Sequence, residues 1–371
     1  MPQPLKLPDI SKTDQDRLAQ TGIDLSLQNR CGSYLQMDQN IVHSECSEQG
    51  IEVLPYKTAM EKYDWLNDYA WKIVSPEHDE VTKYVAAQKE PKGYVIIAHK
   101  GTKNIFPLQT CLFLGREQIQ HVHNIIIAEE DAELHIISGC ASGEHVGSGG
   151  AHYGISEFVV GKNAKISFTM IHNWNEKIEV YPRSASVVGE NGVFLSNYVC
   201  MQPVKKIEQY PTATLKGENA VARFSSVVIA PPGSYMDLGS RAVLEGKGSS
   251  AELVTRAITK GGTIISRGHI AGKTAGSRGH LECKGLILRD GVIYAIPEIE
   301  GSVVGTELSH EAAVGKLARE EIEYLMSRGL DEDEATATII RGFLDVKISG
   351  LPEALQKQID ASIDEAEKSG F

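Results

Sequence analysis

Four side chains in this sequence have types and positions that could do chemistry. Cys283 lies in SRGHLECKGLIL, shortly after His280, and His310 and Glu311 follow in ELSHEAAVGK. A thiolate, an imidazole and a carboxylate together suit a borderline metal such as iron. A thiol beside an imidazole can also form a nucleophilic pair, and a free cysteine is often simply a small buried residue. All three readings of Cys283 stay open, whereas His280 is interpreted as a strand-surface histidine.

Cys140 is the other thiol in a suggestive place. In HIISGCASGEH it ends an apolar run and enters a segment rich in glycine and serine, ahead of His145 and His152. A thiol at a strand end becomes reactive if a neighbouring cation or histidine lowers its pKa, and is inert otherwise. The six cysteines include no CxxC pair, so neither a disulfide framework nor a zinc pattern is indicated.

Composition limits the classes of function. The chain has 371 residues and a formal net charge of −12, which argues against general binding to nucleic acid or to an anionic membrane. The first residues, MPQPLKLPDISKTDQDRL, lack the apolar stretch of a signal peptide, and no run approaches the roughly 18 apolar residues of a membrane span. We therefore predict a cytoplasmic protein with reduced cysteines.

A repeat predicts the elements that must position these residues. VVGKNAKISF, VVGENGVFLS and LKGENAVARF begin at Val159, Val187 and Leu215, so the same spacing occurs twice. LEGKGSSAEL follows from Leu244 at nearly that spacing, and IAEEDAELHI, from Ile127, is a looser copy upstream of the first. Each copy reads as strand, turn with glycine or asparagine, and strand, because these residues accept the positive φ of tight turns. The constant period favours a β-solenoid over an antiparallel sandwich.

The pattern divides the chain into three regions. Residues 1–93 are predicted to be helical or mixed, with helical spacing in TAMEKYDWLNDYAWKIV and SPEHDEVTKYVAA, and residues 94–305 to form the β core. Residues 306–371 are predicted to be helical. The first helix would begin at Ser309 as N-cap and end at Gly329. DEDEATATIIRGFLDV, which contains Ile339, and LPEALQKQIDASIDEAEKSGF would give two more amphipathic helices.

The motifs themselves are familiar. SRGHLECKGLILRDGVIYAIPEIEG and ELSHEAAVGKLAREEIEYLMSRGLDEDEATATIIRGFL, with HIISGCASGEHVGSGGAHYGISEFVV and MIHNWNE upstream, resemble the SufB/SufD family of iron–sulfur cluster assembly proteins over roughly residues 95–345. The resemblance implies a mainly β fold, a right-handed parallel β-helix (solenoid) core with flanking helical regions. It also implies a scaffold, not an enzyme, on which a transient iron–sulfur cluster is built from persulfide sulfur and iron.

The same resemblance assigns roles to residues. Cys283 matches the cluster-assembly cysteine near a subunit interface, and His310 and Glu311 match the neighbouring residues that hold iron or cluster. Cys140 matches the cysteine that accepts sulfur and passes it through the β-helix interior. The C-terminal helical domain, 306–371, matches the region that docks the SufC-type ABC ATPase, which would supply ATP hydrolysis. The residues expected to contact that ATPase are Leu325, Ile340, Phe343 and Leu344.

The expected partners follow from the family as well. They are a cysteine desulfurase as sulfur donor and a second scaffold subunit, in a homodimer or a SufD-like heterodimer. Because cysteine, histidine and glutamate occur together, the chain is read as SufB-like, in a compact archaeal form. Two alternatives remain. A β-helix carbohydrate-active enzyme would use paired carboxylates among Glu298, Glu300 and Glu307, and a thiol hydrolase would use Cys283 and His310.

Overall fold

The computed structural model describes residues 10–144, 146 and 149–344, and two large sheets dominate this part of the chain. Sheet A contains β1 (Gly32–Met37), β2 (Asn40–Cys46), β5 (Leu108–Leu114), β7 (Glu133–Ser142), β9 (Lys165–Asn173), β11 (Val193–Cys200), β14 (Val221–Ala230), β16 (Ser250–Thr259), β18 (Arg278–Ile287) and β20 (Glu307–Lys316). Sheet B contains β3 (Ile51–Pro55), β4 (Tyr94–Ala98), β6 (Ile119–Ala128), β8 (Gly150–Val160), β10 (Ile178–Val188), β12 (Lys206–Gln209), β13 (Thr212–Leu215), β15 (Tyr235–Leu244), β17 (Thr263–Gly272) and β19 (Val292–Gly301). The α-helices are α1 (Lys12–Gln20), α2 (Tyr56–Lys62), α3 (Glu80–Ala86), α4 (Arg319–Met326) and α5 (Glu332–Leu344).

The chain alternates between the two sheets, so that each turn adds one parallel strand to each. In sheet A, Lys165 lies opposite Val193 and Val193 opposite Val221, so one turn of the solenoid advances the chain by one period of the repeat. The looser first copy also belongs to the structural repeat, because Ile127 lies opposite Val159 on the next strand of sheet B. The result is a parallel β-solenoid of about 8 turns with helices at both ends of the chain. The predicted fold class is therefore confirmed.

The turns of the repeat stack on one another. Asn163, Asn191 and Asn219 have φ of 53°, 52° and 55°, the left-handed conformation predicted from the G-x-N pattern. Their side chains form a ladder: Asn191 Nδ2 donates to Asn163 Oδ1 at 3.1 Å, and Asn219 Nδ2 donates to Asn191 Oδ1 at 3.4 Å. The same residue type thus supplies both the turn conformation and the bond between successive turns.

The core lies between the sheets, where inward side chains of successive turns stack. Phe158 packs against Phe168 and Phe194 with ring centroids 4.9 and 5.1 Å apart, and Phe194 packs against Phe224 at 6.0 Å. These rings are buried. Such stacking stabilises a solenoid because no single turn can bury its own inner face.

The helical reading of 58–74 is correct only at its start. α2 ends at Lys62, and a short 3-10 helix spans Asp64–Asp68. Beyond it the backbone N–H groups of Trp71, Ile73 and Val74 donate to the carboxylate of Glu157, at 2.5–3.0 Å. Because a buried carboxylate from β8 takes these donors, they do not form helical i to i−4 bonds.

The helix predicted to begin at Ser309 is wrong. Residues 307–316 form β20, which pairs in parallel with β18 along its whole length. The segment ELSHEAAVGK fits a period of two as well as a helical period, and the free edge of β18 favours the strand. The described strands thus extend past both ends of the predicted 94–305 core.

Only the second of the three predicted C-terminal helices is confirmed in the predicted segment. α4 starts at Arg319, and α5 covers the predicted Ile339–Leu344 face. α5 begins after Asp331, whose carboxylate accepts from Glu334 N at 2.8 Å while Glu334 accepts from Asp331 N at 3.0 Å, a reciprocal capping arrangement. The third predicted helix, in residues 351–371, lies outside the described residues. No helix in the described part of the chain is long and apolar enough to cross a membrane.

Candidate functional site

Cys283 points into the solenoid near its C-terminal end. It lies in β18, where alternate residues are buried, and its side chain belongs to the core between the sheets. Burial raises the pKa of the Cys283 thiol, although the neighbouring Ser266 hydroxyl opposes the shift. The thiol is therefore protonated in this conformation, and it needs a proton acceptor or a metal before it can act as a ligand.

The strand register places the other two predicted residues on opposite faces of sheet A. Leu281 lies opposite His310, and Cys283 lies opposite Ala312. In parallel strands opposite residues share a face, so His310 projects on the inner side, diagonal to Cys283 and about 8 Å away between Cα atoms. Glu311 lies opposite Glu282, on the outer side. The three residues are thus close in the fold, but they do not form a single ligand sphere within one subunit.

The outer side carries a second group of polar residues. His280, Glu282 and Glu311 each place one ligand atom within 4.8 Å of the others. The Lys284 ammonium lies 3.2 Å from Glu282 Oε1 and 3.1 Å from Glu311 Oε1, and Arg256 is ion-paired with Glu282. Burial alone would raise the pKa of Glu282, but Lys284 and Arg256 outweigh it and hold that pKa below its usual value.

The last turn of the solenoid has open edges. β19 and β20 are the terminal strands of their sheets in the described structure. Apolar side chains around them are exposed, most of all Val304 at 95% and Tyr294 at 58%. An edge strand presents unpaired backbone donors and acceptors to solvent and readily pairs with another chain. Cys283 lies one strand away from this edge.

Cys140 lies deep in the interior, five strands from Cys283 along sheet A. At about 4.8 Å per strand the two thiols are about 24 Å apart. Cys140 lies opposite His172 of β9, and His172 lies opposite Cys200 of β11, so a thiol, an imidazole and a thiol form one inward row. Burial raises the pKa of Cys140 to about 12, with the Ser138 hydroxyl opposing the shift.

The sequence did not single out His172 or Cys200. His172 Nδ1 lies 3.0 Å from the Tyr198 hydroxyl, and its ring packs edge-on against Tyr198. In the sequence, His172 and Cys200 occupy equivalent positions of two successive repeats, one period apart. Aligning the repeats strand by strand is the signal that could have found this row.

The geometry gives little support to the two alternatives. Glu300 is paired with Lys273 and faces outward from sheet B, whereas Glu307 lies 3.1 Å from Arg278 at the start of a sheet A strand. Glu300 and Glu307 therefore do not face one another across a cleft, and Glu298 lies beside Glu300 on the same outer face of β19. Cys283 has Ser266 beside its thiol, and His310 is exposed on the neighbouring strand.

The residues expected to contact an ATPase differ in exposure. Ile340 and Leu344 are buried against the outer face of sheet A, in a cluster with Val227, Ile258 and Leu286. Leu325 and Phe343 are partly exposed. The helical hairpin formed by α4 and α5 is thus anchored on the solenoid, close to β18.

Comparison with known proteins identifies the family. The family described as "SUF system FeS cluster assembly, SufBD core domain" matches residues 112–343. The chain is also 52% identical over 356 residues to an "Iron-sulfur cluster assembly SufBD family protein" of Archaeoglobus fulgidus, across 96% of this chain and 95% of that protein. The chain belongs to the SufBD family.

Other SufBD relatives extend across archaea and bacteria. One from Methanothermobacter thermautotrophicus is 47% identical over 362 residues, covering 96% of this chain and 88% of the relative. One from Staphylococcus aureus is 30% identical over 331 residues, covering 86% of this chain and 70% of the relative. The resemblance described from the motifs is confirmed, and membership implies a part in iron–sulfur cluster assembly.

Proposed function

We propose that this SufBD chain is a SufB-like scaffold that accepts persulfide sulfur and iron and builds a nascent cluster at a dimer interface. Cys283, His310 and Glu311 are the residues proposed to hold iron or cluster, which are cargo of the scaffold and not resident groups. A cytoplasmic location and a sulfur-donating cysteine desulfurase belong to the same proposal. The observation that carries it is the position of Cys283 one strand from an open, apolar solenoid edge.

The edge supplies a physical reason for a dimer. Thiolates are the usual ligands of iron–sulfur clusters, and within the described residues one subunit offers a single thiol near β20. A second copy, or a SufD-like subunit, pairing with this edge would bring further ligands to the interface. Contact at the edge would also cover the exposed apolar side chains of the last turn.

Cys140 is proposed as the sulfur acceptor. Its thiolate would attack the outer sulfur of a donor persulfide, which gives a Cys140 persulfide and releases the donor thiolate. The inward row with His172 and Cys200 supports onward passage inside the solenoid, because the thiol of Cys200 lies two strands closer to Cys283. Since Cys140 is buried, a donor persulfide reaches it only after the structure around the thiol opens.

Cluster reconstitution tests the central claim. Full-length protein is incubated anaerobically with ferrous iron and sulfide, and bound cluster is read from its visible absorption. Cys283→Ser is expected to lose most of that absorption, whereas Cys46→Ser, which removes a thiol at the opposite end of sheet A, is expected to keep it. Equal cluster on wild type and Cys283→Ser would falsify the role of Cys283.

Docking of the SufC-type ABC ATPase is proposed for the C-terminal region. Substituting Ile340 or Leu344 would disturb the packing of the hairpin itself, so the partly exposed Leu325 gives a clearer test. Leu325→Asp is expected to abolish co-purification with the ATPase while the melting curve stays unchanged. Lys316→Asp, at the C-terminal end of β20, serves as a charge control. If Leu325→Asp still co-purifies with the ATPase, Leu325 is not part of the interface.

A further inference from the structure

A cation-binding arrangement lies on the outer face of sheet A, across the sheet from Cys283. His280 and Glu282 are alternate residues of β18, and Glu311 lies opposite Glu282 on β20. Residues that alternate along one strand project on the same face. All three side chains therefore converge on one spot, and their ligand atoms fall within 4.8 Å of each other.

The imidazole is oriented in the way that metal ligands usually are. His280 Nδ1 lies 2.8 Å from Ser309 Oγ, which is on the neighbouring strand. His280 Nε2 faces Glu282 Oε2 at 4.0 Å, too far for a hydrogen bond. In the tautomer that carries its proton on Nδ1, His280 donates to Ser309 and its Nε2 lone pair faces the Glu282 carboxylate across a gap. In metal sites a ligating histidine typically donates its other ring N–H to an oxygen in this manner.

A lysine ammonium bridges the two carboxylates. Lys284 Nζ bridges Glu282 Oε1 and Glu311 Oε1 at 3.2 and 3.1 Å. Its side chain is 31% exposed, so it can swing into solvent on a flexible stem. Arg256 is less exposed and stays beside Glu282, where it holds the carboxylate in place.

We propose that His280, Glu282 and Glu311 bind a divalent transition metal, with the Lys284 ammonium leaving the carboxylates as the metal enters. One imidazole with two carboxylates is a ligand set suited to ferrous iron, and no electron transfer is needed for binding. Resting on the proposed scaffold function, the site is where ferrous iron docks before it meets sulfur. The sheet keeps this metal on the opposite face from the thiol of Cys283.

Metal titration of the complete protein tests the site. Ferrous iron is titrated anaerobically by calorimetry into wild type, His280→Ala, Glu282→Gln and Lys284→Met. Loss of a ligand is expected to weaken binding at least about tenfold in the first two variants. Lys284→Met is expected to tighten binding about tenfold, because it removes a competing positive charge from the carboxylates.

A matched imidazole gives the control. His269 lies on sheet B, 3.8 Å from Glu300 and near Lys273, and Glu300 is paired with that lysine. His269→Ala is expected to bind ferrous iron as wild type does, and melting curves check that each variant is folded. Wild-type affinity in His280→Ala overturns the site, and an unchanged affinity in Lys284→Met overturns the exchange of ammonium for metal.

The outcome is separable from that of the scaffold proposal. Cys283→Ser is expected to bind ferrous iron normally at the outer site and yet fail to hold a cluster. If His280→Ala binds iron normally and wild type still forms the cluster, the outer site is rejected and the scaffold stands. If Cys283→Ser forms the cluster normally, the role of Cys283 is rejected, while the iron titration still decides the outer site.

Discussion

Burial controls the protonation state of the thiols. Desolvation raises the pKa of Cys140 and Cys200 to about 12, so both are thiols at neutral pH. Cys46 differs because the adjacent Cys31 lowers its pKa and because it is only partly buried. The same contact raises the pKa of Cys31. Of these thiols Cys46 therefore ionises most readily, and it lies at the end of sheet A far from Cys283.

Alkylation rates follow from this difference. In folded protein at pH 7, we expect iodoacetamide to modify Cys46 first and Cys140 and Cys200 last, because the thiolate is the nucleophile and must be accessible. Peptide mass spectrometry of a time course gives the order. Labelling of Cys140 as fast as Cys46 would show that the interior opens far more readily than its packing indicates.

The buried contact between an imidazole of β6 and a carboxylate of β8 is a second feature at this scale. Glu157 is fully buried, accepts from three backbone N–H groups and lies 2.8 Å from His123 Nε2. Burial alone would raise the pKa of Glu157, but His123 and the backbone donors outweigh it and lower that pKa. The carboxylate thus fixes the irregular segment after α2 onto the solenoid.

Removing this charge is expected to destabilise the protein. Glu157→Gln should lower the free energy of unfolding by about 3 kcal/mol at pH 7, since it leaves buried donors poorly satisfied. Because the folded-state pKa is depressed, the stabilisation is full above the usual glutamate pKa of about 4.3 and is lost as the pH falls through the folded value. In urea unfolding, the difference in free energy of unfolding between wild type and Glu157→Gln should therefore become smaller in acid. The exposed Glu80→Gln is the control. A difference that does not change with pH would contradict the depressed pKa of Glu157.

At the scale of elements, the asparagine ladder ties local conformation to the stacking of turns. Asn191 both donates to Asn163 and accepts from Asn219. Its φ of 52° is a conformation that glycine adopts freely and alanine does not. Two substitutions at this position therefore separate the backbone contribution from the side-chain hydrogen bonds.

Asn191→Gly is expected to lose only the ladder bonds, whereas Asn191→Ala loses the bonds and also strains the turn. The alanine variant should be less stable than the glycine variant by about 1–2 kcal/mol, the cost of the left-handed conformation for a residue with Cβ. Urea unfolding of both variants measures the difference. Coincident unfolding curves would mean that the turn can relax out of its left-handed conformation.

Elements were predictable where the pattern was local and repeated. The constant period and its Asn turns specified the solenoid, because each copy carries its own turn residue. The helix expected from Ser309 failed, since Leu308, His310 and Ala312 fit a strand as well and only the edge of β18 decides. The end of α2 also could not be predicted, because Glu157, far along the chain, takes its backbone donors.

At the scale of the whole molecule, the two ends of the solenoid differ in how their terminal strands are paired. Antiparallel pairs, β1 with β2 and β3 with β4, close the N-terminal end of both sheets. The C-terminal end finishes on β19 and β20 in parallel pairing, with no such closing strand among the described residues. The sequence indicated which residues belong to the candidate site. It could not indicate that Cys283 and Glu311 lie on opposite faces of sheet A, because that depends on the register of β18 and β20.

This asymmetry predicts where the second subunit of the proposed dimer binds. Val304, 95% exposed between β19 and β20, should lie at the dimer interface, whereas Ile105, 88% exposed before β5, lies near the closed end. Val304→Lys is therefore expected to weaken the dimer at least about tenfold by burying an unpaired charge, and Ile105→Lys should leave it unchanged. Sedimentation equilibrium at micromolar protein measures both. A wild type that stays monomeric, or equal weakening by the two variants, would place the second subunit elsewhere than at the edge beside Cys283.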